Sequence, residues 1–148
     1  MNEMSWMGIV AILIATILAI IILIYIKRRR NDSYLDMDDM EGHEFEYYCA
    51  ELLERNGFID VEVTKGSGDF GADIICEKDG VTYAIQCKCY DKVVGVHAVG
   101  EVYAAKDYYD CMVAAVMSNQ YFTEPAVKMA KKLNVILFDR DYLRLMEE

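Results

Sequence analysis

An acid, an amide and an amine stand at hairpin spacing in this chain. Asp73 lies in Ala72-Asp73-Ile74-Ile75-Cys76, Gln86 and Lys88 lie in Ala84-Ile85-Gln86-Cys87-Lys88, and Asp79-Gly80 falls between the two runs. Asp-Gly between alternating apolar residues is a strong signal for a two-residue β-hairpin loop. A loop at residues 79–80 sets Asp73 across from Gln86, and alternation turns Lys88 to the same face while Ile85, Cys87 and Cys89 point to the other. Phosphodiester hydrolysis uses such a set: hard oxygen donors for a divalent cation, a group that orients or deprotonates water, and a cation that offsets the added phosphate charge. Gln86 brings only a neutral oxygen, so a second carboxylate is wanted. Glu46 is the candidate, at the margin of a helical apolar stripe and one turn before Cys49 and Ala50. The same spacing also fits a polar row on the solvent face of an antiparallel hairpin.

The elements that must position these groups follow from periodicity. Phe45, Tyr48, Cys49, Leu52 and Leu53 form the stripe of an amphipathic helix, which Asn56-Gly57 ends. Strands are predicted over Ile59–Thr64, Ala72–Lys78 and Val81–Tyr90, then a loop from Lys92 to Val96 and a helix over His97–Tyr109. A strand over Cys111–Ser118 comes next. Thr123 caps a helix over Glu124–Leu133, whose first turn takes Pro125, the chain's single proline. A strand over Val135–Phe138 and a short helix over Tyr142–Met146 close the chain. The order predicts an α/β fold in which helices flank a mixed sheet.

Other residues rank lower. Gly66-Ser67-Gly68-Asp69-Phe70-Gly71 matches a dinucleotide fingerprint, but it opens a strand and hairpin where the fingerprint needs a helix amino terminus. Its glycines instead permit positive φ and close approach of a substrate backbone. The five cysteines, odd in number and set in apolar patterns, read as reduced core residues rather than a zinc site. His43 and His97 read as structural, and Tyr103, Tyr108 and Tyr109 as core or boundary residues rather than a base-stacking surface.

Four ordered motifs then resemble a known family. Gly42-x-x-Phe45-Glu46, Asn56-Gly57-Phe58, Gly68-Asp69-x-Gly71-x-Asp73 and Gln86-Cys87-Lys88 resemble the successive motifs of the Mrr-type restriction endonuclease domain, a branch of the PD-(D/E)xK nucleases. Ser118-Asn119-x-x-Phe122-Thr123-x-x-Ala126 and Leu137-Phe138-Asp139-x-x-x-Leu143 resemble its later strand, helix and end. The resemblance implies a restriction-endonuclease-like sheet and a DNA-cutting, restriction-type endonuclease dependent on Mg2+ or Mn2+, acting in restriction or defence. It places Asp73, Gln86 and Lys88 at the D…QxK positions and Glu46 at the supporting helix acid, with Asp73, Gln86 and Glu46 as the metal donors. Asp69 also matches a family position, as support for the site or as a turn residue. A homodimer or a separate specificity partner is left open.

Composition adds a second body to this reading. Residues 7–26 carry no charge, and about 20 helical residues cross roughly 30 Å of hydrocarbon. Lys27, Arg28, Arg29 and Arg30 follow the run, the reverse of a secretory signal, so a transmembrane helix with the carboxy-terminal domain in the cytoplasm is expected. Residues 27–41 then form a basic flank and an acidic tether, and 42–148 the endonuclease-like domain. That domain holds 19 acidic and 11 basic residues, whereas DNA binders usually show a basic footprint. Lys65, Lys88, Lys92 and Lys106 are candidates for a local basic cluster. The acidic balance keeps a catalytically inactive nucleic-acid sensor or a protein-interaction module at the membrane as the competing functions.

Overall fold

A computed structural model describes residues 6–31, 37–64 and 70–148. Two compact units divide the chain, Met1–Leu35 and Asp36–Glu148. The first holds helix α1 (Trp6–Asn31). The expected membrane span over residues 7–26 is met only as a helix: among the described residues no helix is long and apolar enough to cross a membrane.

The second unit opens with α2 (Gly42–Arg55). Its apolar stripe is buried through Phe45, Cys49, Leu52 and Leu53, and each such side chain contributes on the order of 1.5–3 kcal/mol by leaving water. At its start the Glu44 carboxylate accepts a hydrogen bond from the Glu41 amide at 3.0 Å, satisfying a donor the helix leaves free. At its end the Asn56 side-chain amide donates to Leu52 O and to Met146 O, both at 2.8 Å. Residues 37–41, expected in the solvated tether, pack on this unit instead. Met37 is buried in the core and the Asp38 carboxylate pairs with Arg140.

Five strands follow with three helices among them: β1 (Ile59–Val63), β2 (Ile74–Lys78), β3 (Val81–Lys88), α3 (Val96–Tyr108), β4 (Val113–Ser118), α4 (Glu124–Leu133), β5 (Ile136–Phe138) and α5 (Arg140–Met146). They form one sheet in sequence order, antiparallel from β1 to β3 and parallel from β3 to β5. The mixed α/β architecture predicted from the pattern is thus present, with α4 as predicted and the other boundaries shifted by at most two residues. At the β2–β3 turn Asp79 and Gly80 both take positive φ, +53° and +79°, as a two-residue hairpin turn of this hand requires. Thr123 caps α4, its hydroxyl accepting from Ala126 N at 3.3 Å. Asp139 caps α5 by accepting from Tyr142 N at 3.0 Å, so that helix starts two residues earlier than predicted.

The sheet is covered on both faces. Ile74, Cys76, Ile85 and Cys87 join α2 and Leu143 of α5 in one core. Val116 and Ala114 join Val99 and Val102 of α3 and Ala126 and Ala130 of α4 in another. All five cysteines are free thiols, as expected.

Candidate active site

The hairpin register decides where the expected site residues meet. Through β2 and β3 the pairs run from Lys78 with Val81 to Ile74 with Ile85, the register that a loop at residues 79–80 predicts. Asp73 lies one residue outside β2 and is pinned on both sides: its amide donates to Ile85 O and its carbonyl accepts from Thr64 N, each at 2.8 Å. Its side chain turns to Gln86. Asp73 Oδ2 accepts from Gln86 Nε2 and from the Cys87 backbone amide, the latter at 2.6 Å. Both side chains are only 5% exposed, so a carboxylate taken this far from water is offset by charge-assisted hydrogen bonds.

Lys88 ends β3. Its carbonyl accepts from the Ser118 hydroxyl at 2.8 Å, and its ammonium lies 3.0 Å from Glu101 Oε2 on α3. Burial lowers the pKa of the amine, but the hydrogen bond and charge of Glu101, with Tyr90 and Asp73 adding to them, outweigh that and raise it above the ordinary lysine value. Lys88 is therefore a cation at neutral pH and within electrostatic reach of Asp73. Gly71 meets the same helix residue. With φ at +91°, it has backbone so near α3 that a Cβ would sit 2.9 Å from the Glu101 carbonyl oxygen. Glu101 thus supports the turn before Asp73 through its backbone and the end of β3 through its carboxylate.

Beyond Lys88 the chain is clamped by Asn119, which is 1% exposed. Asn119 Oδ1 accepts from Tyr90 N at 2.9 Å, and Nδ2 donates to Tyr90 O at 3.1 Å and Asp38 Oδ1 at 3.0 Å. The Ser118-Asn119 pair thereby fixes the exit of the strand that carries Gln86 and Lys88.

Glu46 lies on α2, its side chain 18% exposed and its Oε2 2.9 Å from His43 Nδ1. Cys87, between Gln86 and Lys88 on β3, is a buried thiol. That thiol's pKa is raised well above the ordinary value, first by its hydrogen bond with Cys49 and then by burial, with smaller electrostatic contributions from its neighbours. The hairpin brings Asp73 and Gln86 into contact and ends in Lys88, whereas Glu46 on α2 is paired with His43 and is not brought into contact with them. Asp69 and Lys65 lie outside the described residues, and Lys106 is engaged by Asp107 at 2.7 Å. Glu101 was not among the expected site residues. Its one signal in sequence is a carboxylate set between Val99 and Val102, both buried.

Among the described residues, no group of three His, Cys, Asp or Glu side chains converges to hold a metal ion by itself. The oxygen donors expected at the site are two carboxylates and a primary amide, all hard ligands. Such a set suits Mg2+, which is commonly held by one or two carboxylates together with substrate phosphate and water.

Comparison with known proteins agrees with this architecture. The model of a family described as Mrr_cat, restriction endonuclease, matches residues 37–146. No curated protein sequence matches the chain. Among solved structures, a protein of unknown function, AF1548, is similar with a TM-score of 0.56 and 24% identity over 66% of this chain and 57% of that one. The DNA modification-dependent restriction endonuclease AspBHI is similar with a TM-score of 0.53 and 19% identity over 69% of this chain and 30% of that one. The chain thus spans little more than half of the first of these proteins and less than a third of the second. At these identities the likeness is one of fold.

Proposed function

The chain belongs to the Mrr_cat restriction endonuclease family, and on that premise we propose that it hydrolyses phosphodiester bonds in DNA with a divalent cation, Mg2+ or Mn2+. The observation that carries this reading is the contact of the buried Asp73 and Gln86 side chains at the margin of a strand that ends in a cationic Lys88. When bound, the cation would polarise the phosphate and lower the pKa of water. Asp73, Gln86 and Glu46 are the residues that would hold it. Lys88, kept protonated by Glu101, binds the phosphate and offsets the charge that builds on it during attack. The hydrogen bonds to Asp73 Oδ2 hold the carboxylate in one orientation and spare that reorganisation when substrate arrives. Asp69 supports this centre or the turn before it.

The reading includes a location. The uncharged run over residues 7–26 followed by Lys27–Arg30 supports a single membrane span with the catalytic unit in the cytoplasm. A net acidic domain would meet DNA through the local charge of the site and its cation rather than through a broad basic face. Sequence selection would then fall to a partner or to a second copy.

The test is incubation of the full chain in detergent micelles with supercoiled and linear duplex DNA in Mg2+, Mn2+ or EDTA. Nicking that requires the divalent ion and is lost in Lys88→Ala supports the reading. Binding without cleavage in any divalent ion would instead assign a nucleic-acid sensor, and no binding at low salt a protein-interaction module.

A further inference from the structure

Two aromatic rings beside the site are stacked on one another yet left in solvent. The Phe70 and Tyr108 centroids lie 4.0 Å apart with planes 25° from parallel, and Tyr109 meets Tyr108 edge-on at 4.9 Å. Phe70 is 59% exposed and Tyr108 57%. Phe70 also holds φ at +49°, a conformation uncommon for a bulky residue. Such backbone cost persists mainly at ligand clamps and functional turns.

Their position relates them to the proposed cleavage centre. Phe70 directly precedes Gly71, which abuts Glu101. Tyr108 lies seven residues beyond Glu101, which is two helical turns and the same face of α3. That is about 10 Å along the helix axis. The local charge gives no phosphate contact beside the rings: Asp107 adjoins Tyr108, Asp110 lies two residues beyond it, and Lys106 is engaged by Asp107. What an exposed aromatic stack offers in such surroundings is a π-face for another flat ring.

We propose that Phe70 and Tyr108 form a platform on which one unpaired nucleobase of the DNA strand stacks, near the bond to be cut. The inference rests on the nuclease reading for its placement and deepens it by naming the preferred substrate class: DNA with an unpaired or flipped base, held more tightly than continuous duplex. Stacking is indifferent to base identity, since every base has a π-face. Unlike phosphate contacts, it releases no counterions, so its share of the affinity is independent of salt.

The test uses the full chain in detergent micelles and a short single-stranded oligonucleotide carrying 2-aminopurine, in calcium, with the matching duplex as control. Quenching of the probe on binding is expected. Phe70→Leu and Tyr108→Leu, which keep apolar bulk and lose the ring, should each weaken single-strand binding about tenfold and remove the quench. Phe70→Trp should retain both, and the ratio of wild type to Phe70→Leu should hold from low to moderate salt. Unchanged affinity and quench in Phe70→Leu would overturn the platform. So would an equal loss on the fully paired duplex, or a wild type that does not bind the single strand. Absence of cleavage by the wild type in every divalent ion would sink the nuclease reading alone, because the platform is read by binding.

Discussion

Lys88 Nζ lies 3.0 Å from Glu101 Oε2, so the amine assigned to the reaction is oriented from α3 as well as by the strand that carries it. Glu101→Ala removes that orientation. Glu101 is half exposed, and a partly solvated pair contributes little to stability. The thermal midpoint should therefore stay close to wild type. The single-turnover cleavage rate is expected to fall about tenfold, equivalent to about 1.4 kcal/mol of transition-state stabilisation, with KM for DNA nearly unchanged. A rate that rises in Glu101→Ala would show instead that Glu101 holds Lys88 away from substrate.

The backbone side of the same contact gives a stability prediction. A Cβ at Gly71 would press on backbone at Glu101, in a left-handed conformation that already disfavours a side chain, whereas Gly80 has a similar φ of +79° and open space around it. Gly80→Ala should cost only the conformational penalty, about 1 kcal/mol. Gly71→Ala should cost more, about 2–4 kcal/mol, because α3 or the turn must also move. Urea denaturation of the two variants checks this, and equal losses would refute the close approach.

Burial, with the Cys111 thiol adding to it, pushes the Cys76 thiol up to about 12 from an ordinary 9.0. Between those values the unfolded chain has given up a proton that the folded chain keeps, so stability is fully present below pH 9 and falls as pH rises toward 12. Cys87, Cys89 and Cys111 are shifted in the same direction, so Cys76 accounts for part of the slope. Cys76→Ala should lower stability at neutral pH and flatten its decline in alkali, read as the urea midpoint against pH. An unchanged slope would contradict the assignment.

Much of this arrangement is legible in the sequence because it is local. Asp79-Gly80 fixes the hairpin, the hairpin fixes the register, and the register brings Asp73 to Gln86. The apolar stripe of α2 and the Thr123 cap of α4 are equally short-range signals. Contacts between distant segments are not encoded that way. Glu101 meets Lys88 and Gly71 only after the β3-α3-β4 crossover lays α3 on the sheet. Asn119 reaches Tyr90 only across the β3–β4 pair, and Met37 enters the core from a segment whose acidic composition reads as solvated. The bend at Asp73 is intermediate: strand periodicity carries β2 back to Ala72, but Thr64 and Ile85 take the Asp73 backbone out of the regular ladder.

Asp73→Asn bears most directly on the central claim, because it keeps the size of the side chain and removes the charge a divalent cation needs. The measurement is the single-turnover rate of DNA cleavage at saturating Mg2+ for wild type and Asp73→Asn, with thermal midpoints compared in the same buffer. Loss of about a thousandfold or more in rate, with the fold retained, is the predicted result. A variant that cuts within tenfold of wild type would contradict a catalytic role for Asp73 and the centre built around it.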